Sequence, residues 1–227
     1  MKKMYQEAGI PTARQSKVTT REAGKAFIGE TEYPVIVKPD IGVGAAHTWK
    51  MENDEYLDAF YDSLPAVPYV MEEFIQGDLC SYEAILNADC EPLFENMTIW
   101  PVPIMNIVND DLDLNYYTCP DVPKKLRKIG RKTAHSAEVY QIYAEMAAFN
   151  ELRTKISEDR YYCVYAGRKE GHVFRHTHKE ILDRYGSAIV MQEEMPVVNW
   201  PQMGRFMYTA RFRTLDETQA FIDFVQS

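Results

Sequence analysis

The sequence has little basic charge, no clustered cysteines and no long apolar run, and each shortage excludes a class of protein. With 25 Lys and Arg against 34 Asp and Glu, the net charge is −9. A general binder of nucleic acid carries a basic field, so nucleic acid is excluded as a partner and any anionic ligand must be held by a local pocket. Cys80, Cys90, Cys119 and Cys163 are scattered without a Cys-x-x-Cys pair. Reduced thiols in a reducing compartment, the cytoplasm, are the simplest account. No stretch is apolar over the length that a bilayer demands, so no membrane partner is expected. Met1, Lys2 and Lys3 are followed by Tyr5, Gln6 and Glu7 rather than by the apolar run of a secretory signal. What remains is a chain of 227 residues, 46% hydrophobic, able to bury a good core as one large domain or two small ones.

The most informative stretch is Tyr33 to Thr48. Pro34, Val35, Ile36 and Val37 predict a strand too apolar to face water, and it delivers the ammonium group of Lys38 at its end. Pro39 is expected to stop the strand. Asp40 to His47 follows with Gly42 and Gly44, a loop whose backbone can approach a ligand closely and point N–H groups at an anion. A lysine followed by a glycine loop points to a phosphate. The alternative is a lysine that snorkels from a strand end into an ordinary hairpin.

Around this stretch the pattern predicts mixed helix and sheet. Met1, Met4, Tyr5 and Ala8 mark one face of a helix that Gly9 ends, and Pro11 keeps it from restarting. Thr20 is expected to cap a short helix through Ile28. Thr48 to Met51 reads as a returning strand, and Asn53 caps a helix with a stripe of Tyr56, Leu57, Phe60, Tyr61 and Leu64. Tyr69 to Ile75 is a second apolar strand carrying Glu72 and Glu73. Adjacent strand residues point to opposite faces, so one of these acids is expected to look into a cleft, unless the strand is an edge protected by its acids. Leu79 to Leu86 and Glu91 to Trp100 continue as a meander.

Three pieces in this order, Ala8 to Pro11 (AGIP), YPVIVKPD with its Gly-x-Gly loop, and Val70 to Asp78 (VMEEFIQGD), make residues 1 to about 100 resemble the nucleotide-binding core of the ATP-grasp superfamily of carboxylate-amine ligases. The resemblance implies an α+β ATP-grasp fold of two subdomains, 1–74 and 75–150, with ATP between them, and a small C-terminal α/β module over 151–227. It implies that ATP and magnesium serve to activate a carboxylate as an acyl phosphate, which an amine or similar nucleophile then attacks. A non-catalytic nucleotide-binding subunit is the alternative. The partners implied are small-molecule carboxylate and amine substrates, and a homodimer is compatible with the chain.

Residue by residue, the resemblance places Lys38 on the nucleotide phosphates and the loop of Gly42 and Gly44 over them. The backbone of Glu73, Phe74 and Ile75 would read the adenine edge, with the Glu72 side chain near the exocyclic amine. The family's ribose-binding acid would fall at about Leu79, which is apolar, so either Asp78 substitutes or the ribose contact is absent. The loop is expected to be poorly ordered without nucleotide.

The family's magnesium ligands, a Glu followed by a Glu-x-Asn pair, are not found. Glu83 and Glu95 lie on the meander with no such pair after them. Their absence falls where Lys132 to His135 joins two expected helices. One begins at the cap Asp121 and shows a basic outer face, and the other is capped by Ser136. Together with a first helix that in the family is preceded by a further lysine and a substrate-binding domain, this predicts that the 227 residues are a subset of a longer protein, with a natural degenerate protein as the competing account. Asn109 to Asp113 reads as a solvated acidic loop. His172, His176 and His178 suggest zinc, with His176 and His178 on one strand face, but no carboxylate or thiol stands at ligand spacing. The remainder predicts strands at YYCVYAGR, AIVMQEEM and FMYTARFR, a helix from Lys179 to Tyr185, and a last helix with Thr214 and Glu217 as its capping box.

Overall fold

Two antiparallel sheets organise the chain, each inside its own unit, Met1–Gly77 and Asp78–Ser227. The computed structural model describes residues 2–42, 45, 47–63, 67–122, 139–154 and 159–227. Gly44, Leu64, Asp121's basic helix, the Lys132 to His135 junction and the Ser136 cap were all named from sequence, and apart from Asp121 itself these positions lie outside the described residues. Among the described residues no helix is long and apolar enough to cross a membrane.

The first unit runs α1 (Lys2–Glu7), β1 (Gln15–Lys17), α2 (Arg21–Thr31), β2 (Val35–Pro39), β3 (Trp49–Met51), α3 (Asp54–Asp62) and β4 (Tyr69–Glu73). The sheet order is β1-β4-β2-β3, so β4 and β2 are interior and the edge-strand reading of the two acids is set aside. Both helix caps stand where expected. Thr20 accepts from the Ala23 N–H at 3.2 Å and the Asn53 carboxamide from the Tyr56 N–H at 3.1 Å, each satisfying an orphan donor of the first turn. Val35, Val37 and Met71 point to one face and are fully buried against Phe27 of α2 and Leu57 and Phe60 of α3. Tyr56, expected in the α3 stripe, is instead 55% exposed, because the stripe that the sheet covers is narrower than the run of apolar residues.

Pro39 does not stop β2, and it pairs with Tyr69 within the strand. The next residue, Asp40, donates its N–H to Pro68, on the β4 side. Position 39 therefore faces the β3 side, beyond the last register partner Trp49, where no neighbouring strand asks for a donor. β4 is shorter than expected. It ends at Glu73, and Phe74 and Ile75 are 38% and 64% exposed.

The second unit contains β5 (Leu79–Leu86), β6 (Pro92–Trp100), α4 (Ile104–Asn109), β7 (Asn115–Thr118), α5 (Val139–Phe149), β8 (Tyr162–Arg168), α6 (His178–Tyr185), β9 (Ile189–Glu194), α7 (Trp200–Met203), β10 (Phe206–Phe212) and α8 (Leu215–Gln226). One six-stranded sheet, β5-β6-β7-β8-β10-β9, takes in the meander and the strands of the C-terminal region. Strand parity explains its two cores. Val164, Ala166, Tyr208 and Ala210 meet Ile181, Phe221, Ile222 and Val225, while Tyr165 and Met207 on the other face meet Ile107 and Leu114. The last helix carries the expected Thr214 and Glu217 capping box, and α6 carries a second, Thr177 with Glu180.

Two expectations for this unit are corrected. The acidic loop is not simply solvated: Asp111 pairs at 2.7 Å with Lys169, which is 7% exposed, and the Asp113 carboxylate lies 3.0 Å from His172 Nδ1. The histidines share no strand face. His178 begins α6 and bonds the Tyr208 hydroxyl at 2.9 Å, and His176 stacks on Phe224 with ring centroids 3.6 Å apart. A buried lysine and an unpaired ring nitrogen each need a partner, and the nearby acids and hydroxyl supply them.

The hydrogen bond to Asp113 holds the His172 imidazolium above its ordinary range despite burial, with a second contribution from Asp111. A raised pKa in the folded state means that the stabilisation is complete below the unfolded value and is lost as pH rises through the folded one. The second unit is therefore expected to lose stability between about pH 6.5 and the raised value. His172→Ala should flatten that decline in denaturation midpoints measured from pH 5.5 to 9, and an unchanged slope would contradict this assignment.

Candidate functional site

The face of the first sheet opposite α2 and α3 gathers lysines. Register places Gln15, Glu72, Ile36 and Lys50 in one row across the four strands, and Lys17, Val70 and Lys38 in the next. The same alternation that buries Val35 and Val37 turns Ile36 and Lys38 to this side, so Lys38 lies diagonal to Glu72.

Glu72 is the hub. Its Oε2 accepts from Lys38 Nζ at 2.7 Å and its Oε1 from Lys2 Nζ at 2.6 Å. Lys2 also donates to the Ala13 carbonyl at 3.0 Å. The Glu72 side chain is only 13% exposed, against 28% for Lys2 and 40% for Lys38. Burial pushes its carboxyl up, but the hydrogen bonds and charges of the two lysines outweigh that and hold it below its ordinary range. Two ammonium groups on one carboxylate leave one formal positive charge, facing outward through the more exposed Lys38. Such a site suits an anion.

Glu73 points the opposite way. It accepts from the Arg14 backbone N–H at 2.7 Å and from Arg14 Nε at 2.5 Å, and these bonds hold its carboxyl below the ordinary range. This clamp terminates β4 and delivers Phe74 and Ile75 to the surface. Phe74 and Ile75 lie beyond the last register pair of β4, and both are exposed, within reach of a ligand. Lys50 Nζ lies 5.0 Å from the Phe74 ring centroid and 2.7 Å from Glu52.

Of the residues named from sequence, Lys38 and Glu72 are thus in contact, Glu73 ends the strand that carries Glu72, and Phe74 and Ile75 follow it. Asp78 is exposed and belongs to the second unit. Gly42 opens the loop after β2, where an added Cβ would meet Pro39 at 3.6 Å. In the same loop Ala45 and His47 both take φ of 56°. Sequence reasoning missed Lys2 and Arg14. The available signal was that a buried acid requires a cation, but the Lys2 partner is 70 residues away along the chain and no spacing rule identifies it.

Magnesium requires about six oxygen ligands in a near-octahedral array. Glu83 and Glu95 do not converge. Glu83 is bonded by Asn96, and Glu95 is fully buried with the Tyr82 hydroxyl on one oxygen at 2.5 Å. Among the described residues no three His, Cys, Asp or Glu side chains form a cation site. These residues do not fit the ion.

A family model described as an ATP-grasp domain matches residues 1–137. Solved structures share the fold, among them the following three. Carboxyaminoimidazole ribonucleotide synthase from Aspergillus clavatus, complexed with ATP, has a TM-score of 0.64 at 14% identity, covering 97% of this chain and 69% of that one. L-amino acid ligase from Bacillus licheniformis has a TM-score of 0.60 at 10% identity, covering 97% and 68%. Phosphoribosylglycinamide synthetase from Anaerococcus prevotii has a TM-score of 0.56 at 15% identity, covering 99% and 70%.

Proposed function

The chain belongs to the ATP-grasp family, and on that premise we propose that it binds ATP on the lysine-bearing face of the first sheet and uses it to join a carboxylate to an amine or similar nucleophile. The observation that carries the reading is the Lys38–Glu72–Lys2 cluster, an outward-facing cation whose stem is fixed by an interior strand. In this reading the subdomains run 1–74 and 75–150, and residues 151–227 complete the sheet of the second.

The chain's own groups have distinct tasks. Lys38 moves its ammonium group from Glu72 to the nucleotide phosphates, where charge pairing offsets the repulsion between ATP and an acidic protein. Backbone groups of the exposed segment Phe74 and Ile75 pair with the adenine edge. Each Glu72 oxygen keeps a lone pair beside its lysine, so the carboxylate can also accept from the exocyclic amine. With the nucleotide so placed, a substrate carboxylate oxygen attacks the terminal phosphorus and ADP leaves. The nucleophile then attacks the acyl carbon, and phosphate leaves with its bonding pair.

The test is paired. Calorimetry with ATP and ADP measures binding, and ADP release across panels of carboxylates and amines measures turnover. Binding with release supports the ligase. Binding without release in any panel selects a non-catalytic nucleotide-binding subunit, a reading favoured by the missing cation site among the described residues. No binding discards both.

The loop after β2 offers an independent check. Amides from Asp40 to His47 are expected to gain at least tenfold protection from hydrogen exchange on adding saturating ATP, because the phosphates bring partners to backbone donors. Equal exchange with and without ATP would remove the loop from the site.

A further inference from the structure

Glu72 is engaged twice, and the two engagements differ in kind. Lys38 reaches it along the open face of the sheet and is 40% exposed, whereas Lys2 reaches it from α1 and is anchored by a second bond to the Ala13 carbonyl. If Lys38 leaves for a phosphate, a carboxylate only 13% exposed would remain. Stranding a buried charge is expensive, so a lone Lys38–Glu72 pair would hold the lysine back. With Lys2 present, Glu72 keeps one ammonium group throughout.

We infer that Lys2 is a positioning residue for nucleotide binding: it neutralises Glu72 so that Lys38 can be handed over to the phosphates. This rests on the nucleotide reading above and deepens it. The charged groups facing Glu72 are Lys2 from α1 and Lys38 from β2. Its neighbour on β1 is the neutral Gln15, and Lys50 of β3 lies beyond Ile36 and is paired with Glu52.

Four consequences separate this from a merely structural contact. In the intact protein, Lys2→Met is expected to raise the Kd for ATP about tenfold while leaving the Kd for adenosine within about twofold, because only ATP asks Lys38 to move. Lys2→Arg restores ATP affinity. In a Glu72→Gln background there is no charge to strand, so Lys2→Met there changes ATP affinity less than about twofold. The pH profile also changes. In Lys2→Met, ATP binding tightens as pH falls and Glu72 is protonated, whereas the wild type shows no such gain, since its Glu72 carboxyl is held low by both lysines.

Calorimetry with ATP and adenosine at pH 5 to 8, on the wild type, the two Lys2 variants, Glu72→Gln and the double variant, reads all four. Equal losses for ATP and adenosine, or no loss for either, overturn the role of Lys2 and leave the nucleotide reading standing. Should Lys2→Met not fold, the comparison of Lys2→Gln with Lys2→Arg carries the same decision. A wild type that binds neither ligand overturns the nucleotide reading and this inference with it.

Discussion

Replacing Lys38 by alanine is expected to weaken ATP binding by about thirty- to hundredfold, the loss that follows when a charge-assisted contact worth about 2–3 kcal/mol is removed. Fold stability should change by less than about 1 kcal/mol, because the ammonium group is 40% exposed and its pair with Glu72 is partly screened. Lys2 remains to neutralise Glu72, so the variant leaves no buried charge alone. Calorimetry on the wild type and Lys38→Ala, with thermal midpoints for both, separates the two effects. Equal ATP affinity would take Lys38 out of the site, and a large fall in the midpoint would show that the lysine holds the sheet rather than a ligand.

Gly167→Ala is expected to be the most damaging single methyl addition in the second unit, at about 3 kcal/mol or more. A Cβ there would stand 2.1 Å from the backbone oxygen of Met203, an atom that cannot rotate away. Met203 is held in turn, since its carbonyl accepts from the Tyr165 hydroxyl at 2.9 Å and the following Gly204 sits at φ of 90°, where an added Cβ would stand 2.8 Å from the backbone N and O of Arg168. Relief would require the α7 turn to lift from β8, uncovering Tyr165 and Met207. Urea denaturation of a Trp49→Phe background isolates the second unit, because Trp100 and Trp200 are then the remaining indoles. A midpoint within error of the parent would mean that the approach of α7 to β8 is looser than these distances.

Much of the local structure was legible because it is decided by neighbours in sequence. Thr20, Asn53 and Thr214 cap their helices through bonds that span three residues, and any fold that contains those helices presents the same donors. The Thr177 and Glu180 capping box carries the same spacing and was equally available. The apolar strands at Val35 and Tyr69 were legible because a run of four or five apolar residues has no stable place but a core. Where the reading failed, a distant partner decided. Pro39 stays in its strand because of where β3 ends, and β4 stops at Glu73 because Arg14 grips it.

The candidate site divides along the same line. The sequence by itself determined that an apolar strand would carry Lys38 near its end, one residue before Pro39, and that Glu72 and Glu73 would face opposite ways, since strand parity follows from the tetrahedral backbone alone. It could not determine which face would carry the lysines, nor that Asp111 and Asp113 would be spent on Lys169 and His172 rather than left to water. Those outcomes depend on strand order and register, β1-β4-β2-β3 in the first unit, which put Lys2 and Lys38 on one carboxylate from positions 70 and 34 residues away. Only the tertiary structure decided that meeting, because a charge entering a low-dielectric interior takes whichever partner the packed chain brings within reach.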